Sequence, residues 1–268
     1  MSDSLLGLEG TAALVTGAGQ GGGRGIALML ARAGANVAIV DLDLVLAEKT
    51  AADARALGVR ALPIAADVTE EDSVTRMVSK TVREFGGLDV GVNNVGNFGG
   101  FPPTPVLEQT LDFWDKCVDQ NLRSTFLCAK AFAATMIEAK TQGSIINIGS
   151  LSGLRGSANL APYGAVKAGV MHFTQTLALE LAPYQIRVNC VAPTAIDAPS
   201  LHGALEPQFI QEMAHAIPLG RLCGIEELGG AVLLLASKLA SFVTGQTLMC
   251  DGGASVTTMR PSIPARPE

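Results

Sequence analysis

A tyrosine and a lysine four residues apart are the first residues of this sequence whose types and spacing suggest chemistry. Tyr163 and Lys167 lie in "APYGAVKAGV", residues 161–170, where a helix is predicted to begin. Residues four apart on a helix face the same side, so Lys167 can place its ammonium beneath the phenol of Tyr163. A general acid/base works best with a pKa near the working pH, whereas free tyrosine titrates near 10. Lowering this pKa to about 7 requires roughly 4 kcal/mol of preferential phenolate stabilisation, which an adjacent cation can help to supply.

A glycine-rich segment near the start of the chain is typical of a phosphate-binding turn. "LVTGAGQGGGRGIA", residues 14–27, runs from a predicted strand into a predicted helix, and it matches GxGxxG at Gly17, Gly19 and Gly22. Such a loop lets backbone amides approach a pyrophosphate at the positive end of a helix. In a segment this rich in glycine, a simple tight turn remains an alternative interpretation.

An acidic residue at the end of the second predicted strand indicates which dinucleotide would bind. Asp41 follows Gly17 by 24 residues, where a carboxylate can accept hydrogen bonds from the adenosine ribose and repel a 2′-phosphate. Gln20 and Leu42 offer no positive charge to hold such a phosphate. The pattern predicts NAD rather than NADP, although Asp41 could also be a strand-end cap or a solvated carboxylate.

Two other classes of nucleotide-binding protein also have a glycine-rich loop after the first strand. A simple P-loop requires GK[ST] after its glycines, and the sequence has Gly23, Arg24 and Gly25 instead, which excludes it. A methyltransferase that uses S-adenosylmethionine typically has a carboxylate just before the first glycine, where this chain has Thr16. The methyltransferase interpretation is therefore less favoured but stays open.

Short apolar runs rich in Val and Ile alternate with longer segments of helical period along the whole chain. This alternation, with strands apolar on both faces, predicts an α/β protein: a single-domain Rossmann fold with a doubly wound parallel seven-stranded sheet and helices on both faces. The predicted strands are 12–16, 37–41, 60–65, 88–92, 144–149, 186–191 and 246–249. The predicted helices are 23–33, 44–56, 70–85, 108–138, 161–182 and 225–236, with Gly34 suited to a left-handed position after the first and Pro183 ending the fifth.

Composition and charge limit the function classes. The chain has 268 residues, 48% of them hydrophobic, which is enough for one large core, and its net charge of −6 argues against a nucleic-acid partner. We find neither a signal peptide nor an apolar run long enough to span a membrane, so we expect a soluble cytoplasmic protein. The five cysteines are widely spaced without a CxxC pair, and this pattern predicts reduced thiols and no metal site.

Taken together, residues 8–253 resemble the short-chain dehydrogenase/reductase family. The resemblance depends on ordered motifs: Thr16, Gly17, Gly21 and Gly23 as TGxxxGxG, Asp67-Val68, "NNVG" (93–96), Asn121, Ser150, Tyr163 with Lys167, "NCVAP" (189–193) and "VTGQTLMCDGG" (243–253). It implies Asn121, Ser150, Tyr163 and Lys167 as the catalytic set. It also implies cofactor-binding residues, which with those of the loop are Gly17, Gln20, Gly21, Gly23, Asp41, Asp67, Val68, Asn94, Tyr163, Lys167, Pro193 and Ile196.

The resemblance also gives these residues expected roles. Tyr163 would act as general acid/base, Ser150 would hydrogen-bond the substrate oxygen, and Asn121 would hold water molecules that feed protons to Lys167. Asp67 and Val68 would hold the adenine, and Asn94 would support the adenosine ribose. A threonine that usually bonds the nicotinamide amide is replaced by Ala198, which removes one hydrogen bond, and the backbone of Ile196 could still bind that amide.

The segment 194–218 occupies the place of the family's mobile substrate lid. It contains no Lys or Arg and carries five large apolar residues, Leu201, Leu205, Phe209, Ile210 and Met213. They suggest an uncharged, apolar or cyclic substrate, or else they pack against the core or a neighbouring subunit; "GNFGGFPPTPV" (96–106) is expected to form another wall. By resemblance we also expect a homotetramer, and we divide the chain into a catalytic Rossmann domain, 1–255, and a tail, 256–268.

The sequence therefore predicts an NAD-dependent oxidoreductase of the short-chain family that interconverts a secondary alcohol and a ketone. A non-catalytic NAD-binding regulator and a 3-oxoacyl-thioester reductase are the alternatives kept open. The intact set of Ser150, Tyr163 and Lys167 speaks against the regulator.

Overall fold

The structure, a computed structural model, describes residues 4–98 and 100–257. Its centre is a seven-stranded parallel sheet. The strands are β1 (Ala12–Thr16), β2 (Asn36–Asp41), β3 (Ala61–Ala65), β4 (Val90–Asn93), β5 (Ser144–Ile148), β6 (Arg187–Pro193) and β9 (Thr247–Cys250), while β7 (Ile196–Asp197) and β8 (Cys223–Gly224) form a separate pair. The order of the strands in the seven-stranded sheet is β3-β2-β1-β4-β5-β6-β9. The seven predicted strands are confirmed, each within three residues of its expected ends.

Helices cover both faces of this sheet. The helices are α1 (Gly21–Arg32), α2 (Leu44–Arg55), α3 (Glu71–Phe85), α4 (Leu111–Cys117), α5 (Ser124–Glu138), α6 (Ala161–Leu181), α7 (Pro199–Ala204), α8 (Pro207–Ala216) and α9 (Ile225–Ala236). One core contains side chains of α1, α2 and α9, and the second contains side chains of α3, α5 and α6. In β1, Val15 faces the first core and Leu14 the second, which is why the strand is apolar at every position.

Two predicted helix ends are confirmed in detail. Gly34 follows α1 with a φ of +88°, a left-handed conformation that favours glycine. The long helix α6 ends at Leu181, just before Pro183, because a proline cannot donate the backbone hydrogen bond that would continue it.

The predicted helix 108–138 is wrong as a single element. It begins at Leu111, after the Thr110 hydroxyl accepts a hydrogen bond from Phe113 N, and a π-helical turn, residues 118–123, separates α4 from α5. Inside that turn, Asn121 Nδ2 donates to Cys117 O and Thr125 Oγ1 donates to Asn121 O. These side-chain bonds take up carbonyl groups that regular helical bonding would otherwise use.

The segment expected to be a lid, 194–218, contains short elements that the sequence did not reveal. Ile196 and Asp197 form β7, which pairs with β8 (Cys223–Gly224), and α7 and α8 lie between these two strands. Of the predicted C-terminal tail, 256–268, residues 258–268 lie outside the described residues. Within the described ranges, none of the helices is both long and apolar enough to cross a membrane.

Candidate active site

The glycine loop lies at the point where the order of the strands reverses. From β1, the strands β2 and β3 follow on one side of the sheet, whereas β4, β5, β6 and β9 follow on the other side, so the direction reverses between β1 and β4. In open parallel sheets, ligands bind in the crevice at the carboxyl ends of the strands at such a point. Gly17 adopts a φ of +61°, and a Cβ atom on Gly23 would overlap the carbonyl oxygen of Gly17. Glycine is therefore required for the loop to fold back closely onto the start of α1.

Asn94, expected to support the ribose, also holds the glycine loop in place. Its Nδ2 donates to Thr16 O (3.0 Å) and Gly17 O (3.1 Å), and its backbone N–H donates to Thr16 Oγ1 (3.0 Å). The side-chain amide is thus directed at the loop backbone. Its contact with a ribose stays a prediction.

Asp41 reaches the loop from the end of β2. Its Oδ2 accepts a hydrogen bond from Gly19 N (2.9 Å), and its Oδ1 accepts one from Asp43 N (3.2 Å). A negative charge therefore lies directly beside the loop. Just after the neighbouring strand β3, Asp67 is exposed and accepts hydrogen bonds from Thr69, whereas Val68 is buried.

Ser150, Tyr163 and Lys167 meet at the carboxyl end of β5. Ser150 follows that strand, caps a short turn by accepting a hydrogen bond from Ser152 N (3.2 Å), and hydrogen-bonds the Tyr163 hydroxyl. Lys167, one turn of α6 after Tyr163, is buried and donates through Nζ to Ile148 O (2.9 Å). Its Nζ lies 5.7 Å from the centroid of the Tyr163 ring. The sequence thus predicted correctly that these side chains share one face.

Burial dominates the electrostatics of this group. Burial raises the pKa of Tyr163 above its ordinary value, which the hydrogen bond with Ser150 opposes, and nearby Cys117 raises it further. Burial also lowers the pKa of Lys167 to about 8, against the opposing influence of Cys190. In the chain alone, burial therefore outweighs any stabilisation of the phenolate, and the expected lowering of the Tyr163 pKa by Lys167 together with an oxidised nicotinamide stays a prediction.

The side chains of Asn121 and Lys167 approach each other beside the backbone of Gly96. A Cβ atom on Gly96 would lie 2.5 Å from Asn121 Oδ1 and 2.6 Å from Lys167 Nζ, so these two polar atoms are at most 5.1 Å apart. Asn121 Nδ2 donates to Asn97 O (2.9 Å), while Oδ1 is buried and lacks a hydrogen-bond partner among the described residues. The separation is short enough for one water molecule to bridge the two side chains. The role of Gly96 was not predicted from the sequence; only its place in "NNVG" pointed to it.

An aromatic wall lies beside the tyrosine. Phe98 packs edge-on against Tyr163, with ring centroids 4.7 Å apart and an interplanar angle of 88°. Phe101 stacks on Phe113, which is buried with Cys117 in a small cluster that also contacts Tyr163. The segment 96–106 was expected to form a wall, and its two phenylalanines do face this region.

The apolar residues of the lid segment mostly pack on one another. Ile210, Ile217 and Leu222 are buried and are contacted by half-buried Leu201, Leu205 and Met213, whereas Phe209 remains 51% exposed. Ala198, at the position of the missing threonine, is buried. It faces the glycine loop, because a Cβ atom added to Gly21 would lie 3.5 Å from the Cβ atom of Ala198. Pro193 ends β6 and Ile196 lies in β7, so both flank the same crevice.

Comparison with known proteins identifies the family. The family model described as "Enoyl-(Acyl carrier protein) reductase" matches residues 17–255. A short-chain type dehydrogenase/reductase from Mycobacterium marinum is 36% identical and superimposes with a TM-score of 0.88, covering 95% of this chain and 99% of that one. The chain belongs to the short-chain dehydrogenase/reductase family.

Named relatives of this dehydrogenase/reductase are similar over nearly their full length. Cyclohexanol dehydrogenase of Rhodococcus sp. (strain TK6) is 37% identical, covering 94% of this chain and 98% of the relative. Trans-4-hydroxycyclohexanecarboxylate dehydrogenase of Sinomonas cyclohexanicum is 42% identical, covering 90% and 91%. A solved 7α-hydroxysteroid dehydrogenase complexed with NADH and 7-oxo glycochenodeoxycholic acid is 32% identical with a TM-score of 0.87, covering 94% and 97%.

These comparisons confirm the predicted family and fold. The chain is a single-domain Rossmann-type oxidoreductase with a seven-stranded parallel sheet. The roles of individual site residues stay predictions, although the structure brings the four catalytic candidates into one region and the cofactor-binding candidates to one edge of the sheet.

Proposed function

We propose that the protein is an NAD-dependent dehydrogenase that interconverts an uncharged, apolar or cyclic secondary alcohol and its ketone. The observation that carries this proposal is the convergence of Tyr163, Ser150 and Lys167 at the end of β5, beside the glycine loop. This arrangement offers one proton-transfer group, one hydrogen-bond donor and one cation around a single reacting oxygen.

Each residue of the proposed set has a distinct task. The Tyr163 hydroxyl takes the proton from the alcohol oxygen in oxidation and returns it in reduction, while Ser150 hydrogen-bonds the same oxygen and fixes its position. Lys167 carries a positive charge near the phenol, and Asn121 connects that lysine to solvent through bridging water. Because burial raises the pKa of Tyr163, lowering it requires a further positive charge close to the phenol.

The residues at the glycine loop fit NAD. Gly17 and Gly23 have no side chains that would cover the loop backbone next to the start of α1, where a pyrophosphate is favoured. The negative charge of Asp41 beside Gly19 disfavours a 2′-phosphate. The remaining residues proposed to hold the cofactor are Gln20, Gly21, Asp67, Val68, Asn94, Pro193 and Ile196. When bound, NAD accepts or donates the hydride.

The walls around Tyr163 support an apolar substrate. Phe98 packs against the tyrosine ring, and the lid segment, 194–218, has no Lys or Arg in its sequence to bind an anion. Two of the relatives are named for cyclohexane-ring alcohols, and the solved neighbour contains a ring ketone. These observations support a cyclic secondary alcohol as the substrate class.

We also propose a homotetramer. Large apolar side chains are exposed on α4 and α5, at the C-terminal end of α6 and just before β9, which is unusual for a monomer. They include Leu111, Trp114 and Phe126 on the first surface and Leu179, Tyr184 and Phe242 on the second. Light scattering on the purified protein tests this assembly, and a monomer at micromolar concentration would contradict it.

One experiment separates the proposed function from its alternatives. The purified protein is incubated with cyclohexanol, linear 2-hexanol or acetoacetyl-coenzyme A, each with NAD(H) or NADP(H), and nicotinamide absorbance is followed. We expect the highest kcat/KM for cyclohexanol with NAD. Reduction of acetoacetyl-coenzyme A alone would favour a 3-oxoacyl-thioester reductase. Stabilisation by NAD without turnover of any substrate would favour a regulator.

A further inference from the structure

Two free cysteines meet at the base of the lid segment, 194–218. Cys223 lies in β8 and Cys250 is the last residue of β9, and although they are 27 residues apart their Sγ atoms are separated by only 3.7 Å. Both side chains are half-buried and free. The spacing of the cysteines in the sequence did not indicate this contact, because the helix α9 lies between β8 and β9 in the chain.

The backbone holds the two cysteines side by side. Cys250 O accepts a hydrogen bond from Thr194 N (3.4 Å), and Cys223 N donates one to Ala195 O (3.0 Å). Both cysteines are therefore bonded to the two residues that connect β6 to β7. A disulfide has an S–S distance of about 2.05 Å, so the sulfur atoms need to approach by about 1.7 Å. Side-chain rotation and a small backbone shift can supply an approach of this size.

The two thiols are not equivalent. A hydrogen bond from Cys223 lowers the pKa of Cys250, although burial opposes this, and the same hydrogen bond raises the pKa of Cys223. Of the two sulfurs, Cys250 is therefore the better candidate for the thiolate, at a distance of 3.7 Å from the Cys223 sulfur. Pairs with this asymmetry are the reactive ones, since the thiolate is the nucleophile.

We propose that Cys223 and Cys250 form a redox-reactive pair that hydrogen peroxide converts into an intrachain disulfide. The Cys250 thiolate attacks one oxygen of hydrogen peroxide, the O–O bond breaks, and the products are a sulfenic acid and hydroxide, which takes up the proton released by Cys250 and becomes water. The Cys223 sulfur then attacks the sulfenic sulfur, the S–O bond breaks, and the Cys223 proton leaves with the hydroxide as a second water. The two thiols lose two electrons, the peroxide gains them, and a dithiol reductant reverses the change.

The disulfide would act on the nucleotide side of the crevice. Ile196 pairs with Cys223 across β7 and β8, and a Cβ atom on Gly22 would lie 3.4 Å from Ile196 Cδ1. Drawing the sulfurs together displaces this strand pair toward β9 and moves Ile196 relative to the glycine loop. Displacements of about 1 Å in a positioned site can cost on the order of 100-fold in rate. This consequence rests on the proposed function, and we expect at least a tenfold loss of kcat/KM on oxidation, reversed by dithiothreitol.

The test uses the purified full-length chain treated with hydrogen peroxide and then denatured. We expect the titratable thiols to fall from five to three, the intact mass to drop by two hydrogen atoms, and peptide mapping to link Cys223 to Cys250. The melting temperature should rise by roughly 5 °C, because the disulfide would close the 27-residue loop from Cys223 to Cys250 in the unfolded chain and lower its conformational entropy. Five remaining thiols, or a link between other cysteines or between two chains, would overturn the proposal.

Single variants identify the attacking sulfur. In Cys223→Ser, dimedone should trap a sulfenic acid on Cys250, whereas in Cys250→Ser it should label Cys223 several-fold less; equal labelling would overturn the assignment. Cys128→Ala, in the opposite core, is the matched control and should still form the link. If the disulfide formed and kcat/KM stayed unchanged, the proposed movement of Ile196 relative to the glycine loop would be overturned. Thiol counts and masses need no turnover, so they remain decisive if the proposed function is wrong.

Discussion

Lys167 lies beneath Tyr163 with its Nζ 5.7 Å from the ring centroid, and the same Nζ donates to Ile148 O at 2.9 Å. The lysine thereby ties α6 to the end of β5, two residues before Ser150. The phenol and the ammonium lie on α6, and the serine hydroxyl lies in the turn that directly follows β5. A site built in this way keeps its geometry without a bound ligand.

Replacing Tyr163 with Phe removes the proposed acid/base while keeping the ring that packs against Phe98. We expect kcat to fall at least 1,000-fold, near the upper range for general acid–base catalysis, with the dissociation constant for NAD changed less than threefold. Tyr184→Phe is the matched control, because Tyr184 is the only other tyrosine and is 51% exposed. Turnover retained in Tyr163→Phe would contradict the assigned role.

Burial of Lys167 should appear in the pH dependence of stability. Its pKa is lowered from 10.5 to about 8, so between these values the unfolded chain binds more protons than the folded one, and stability rises with pH. Below about pH 8, lysine is charged in both states and the full burial penalty applies. Relative to Lys167→Met, the wild type should gain about 2 kcal/mol of unfolding free energy between about pH 7 and about pH 9.5. Urea denaturation of both proteins measures this, and parallel pH profiles would exclude the shift.

The sequence was sufficient to predict the sheet, most helices and the meeting of Tyr163 with Lys167. These features depend on local patterns: strands apolar on both faces, helical period and a spacing of four residues. The π-helical turn at Asn121 was missed because it depends on hydrogen bonds from side chains that also occur in regular helices. The burial that raises the pKa of Tyr163 and lowers that of Lys167 was not predicted, because a spacing of four residues places the two side chains on one face but does not show how deeply they are buried.

Contacts between distant segments escaped prediction for a related reason. Gly96 faces Asn121 and Lys167, and Cys223 faces Cys250, only after the sheet has assembled. Such pairs have no fixed spacing in the chain, so a single sequence contains no signal for them.

A methyl group on Gly96 should separate Asn121 from Lys167. In Gly96→Ala, the new Cβ would lie 2.5 Å and 2.6 Å from their polar atoms, so at least one of them must move. We expect kcat to fall roughly 100-fold, since positioning at this scale costs about that much, with a smaller change in KM. Gly156→Ala is the control, because a Cβ there meets nothing within 4 Å. Equal kcat values for the two variants would argue against a proton path at this position.

The charge of Asp41 should set the choice between NAD and NADP. In Asp41→Asn the side chain keeps an acceptor for Gly19 N but loses the negative charge that repels a 2′-phosphate, and Asp41→Ala loses both. The ratio of kcat/KM for NAD to that for NADP should fall about tenfold in each variant, equivalent to about 1.4 kcal/mol. Asp43→Asn, which retains a cap for α2, controls for general effects of charge. An unchanged ratio in both Asp41 variants would remove the ribose contact from the proposal.

Restoring a hydroxyl at Ala198 should tighten the binding of NAD. Ala198 is buried, faces the glycine loop and precedes α7, where its side chain provides no cap. Thr at this position would add one hydrogen-bonding group, worth about 0.5–1.5 kcal/mol, so the dissociation constant for NAD should fall about two- to tenfold. Ala198→Val has nearly the same shape without the hydroxyl, so calorimetric titration of Ala198→Thr and Ala198→Val separates hydrogen bonding from packing. If Val tightened the binding as much as Thr, the gain would come from filled space, and the missing threonine would not explain the cofactor affinity of this protein.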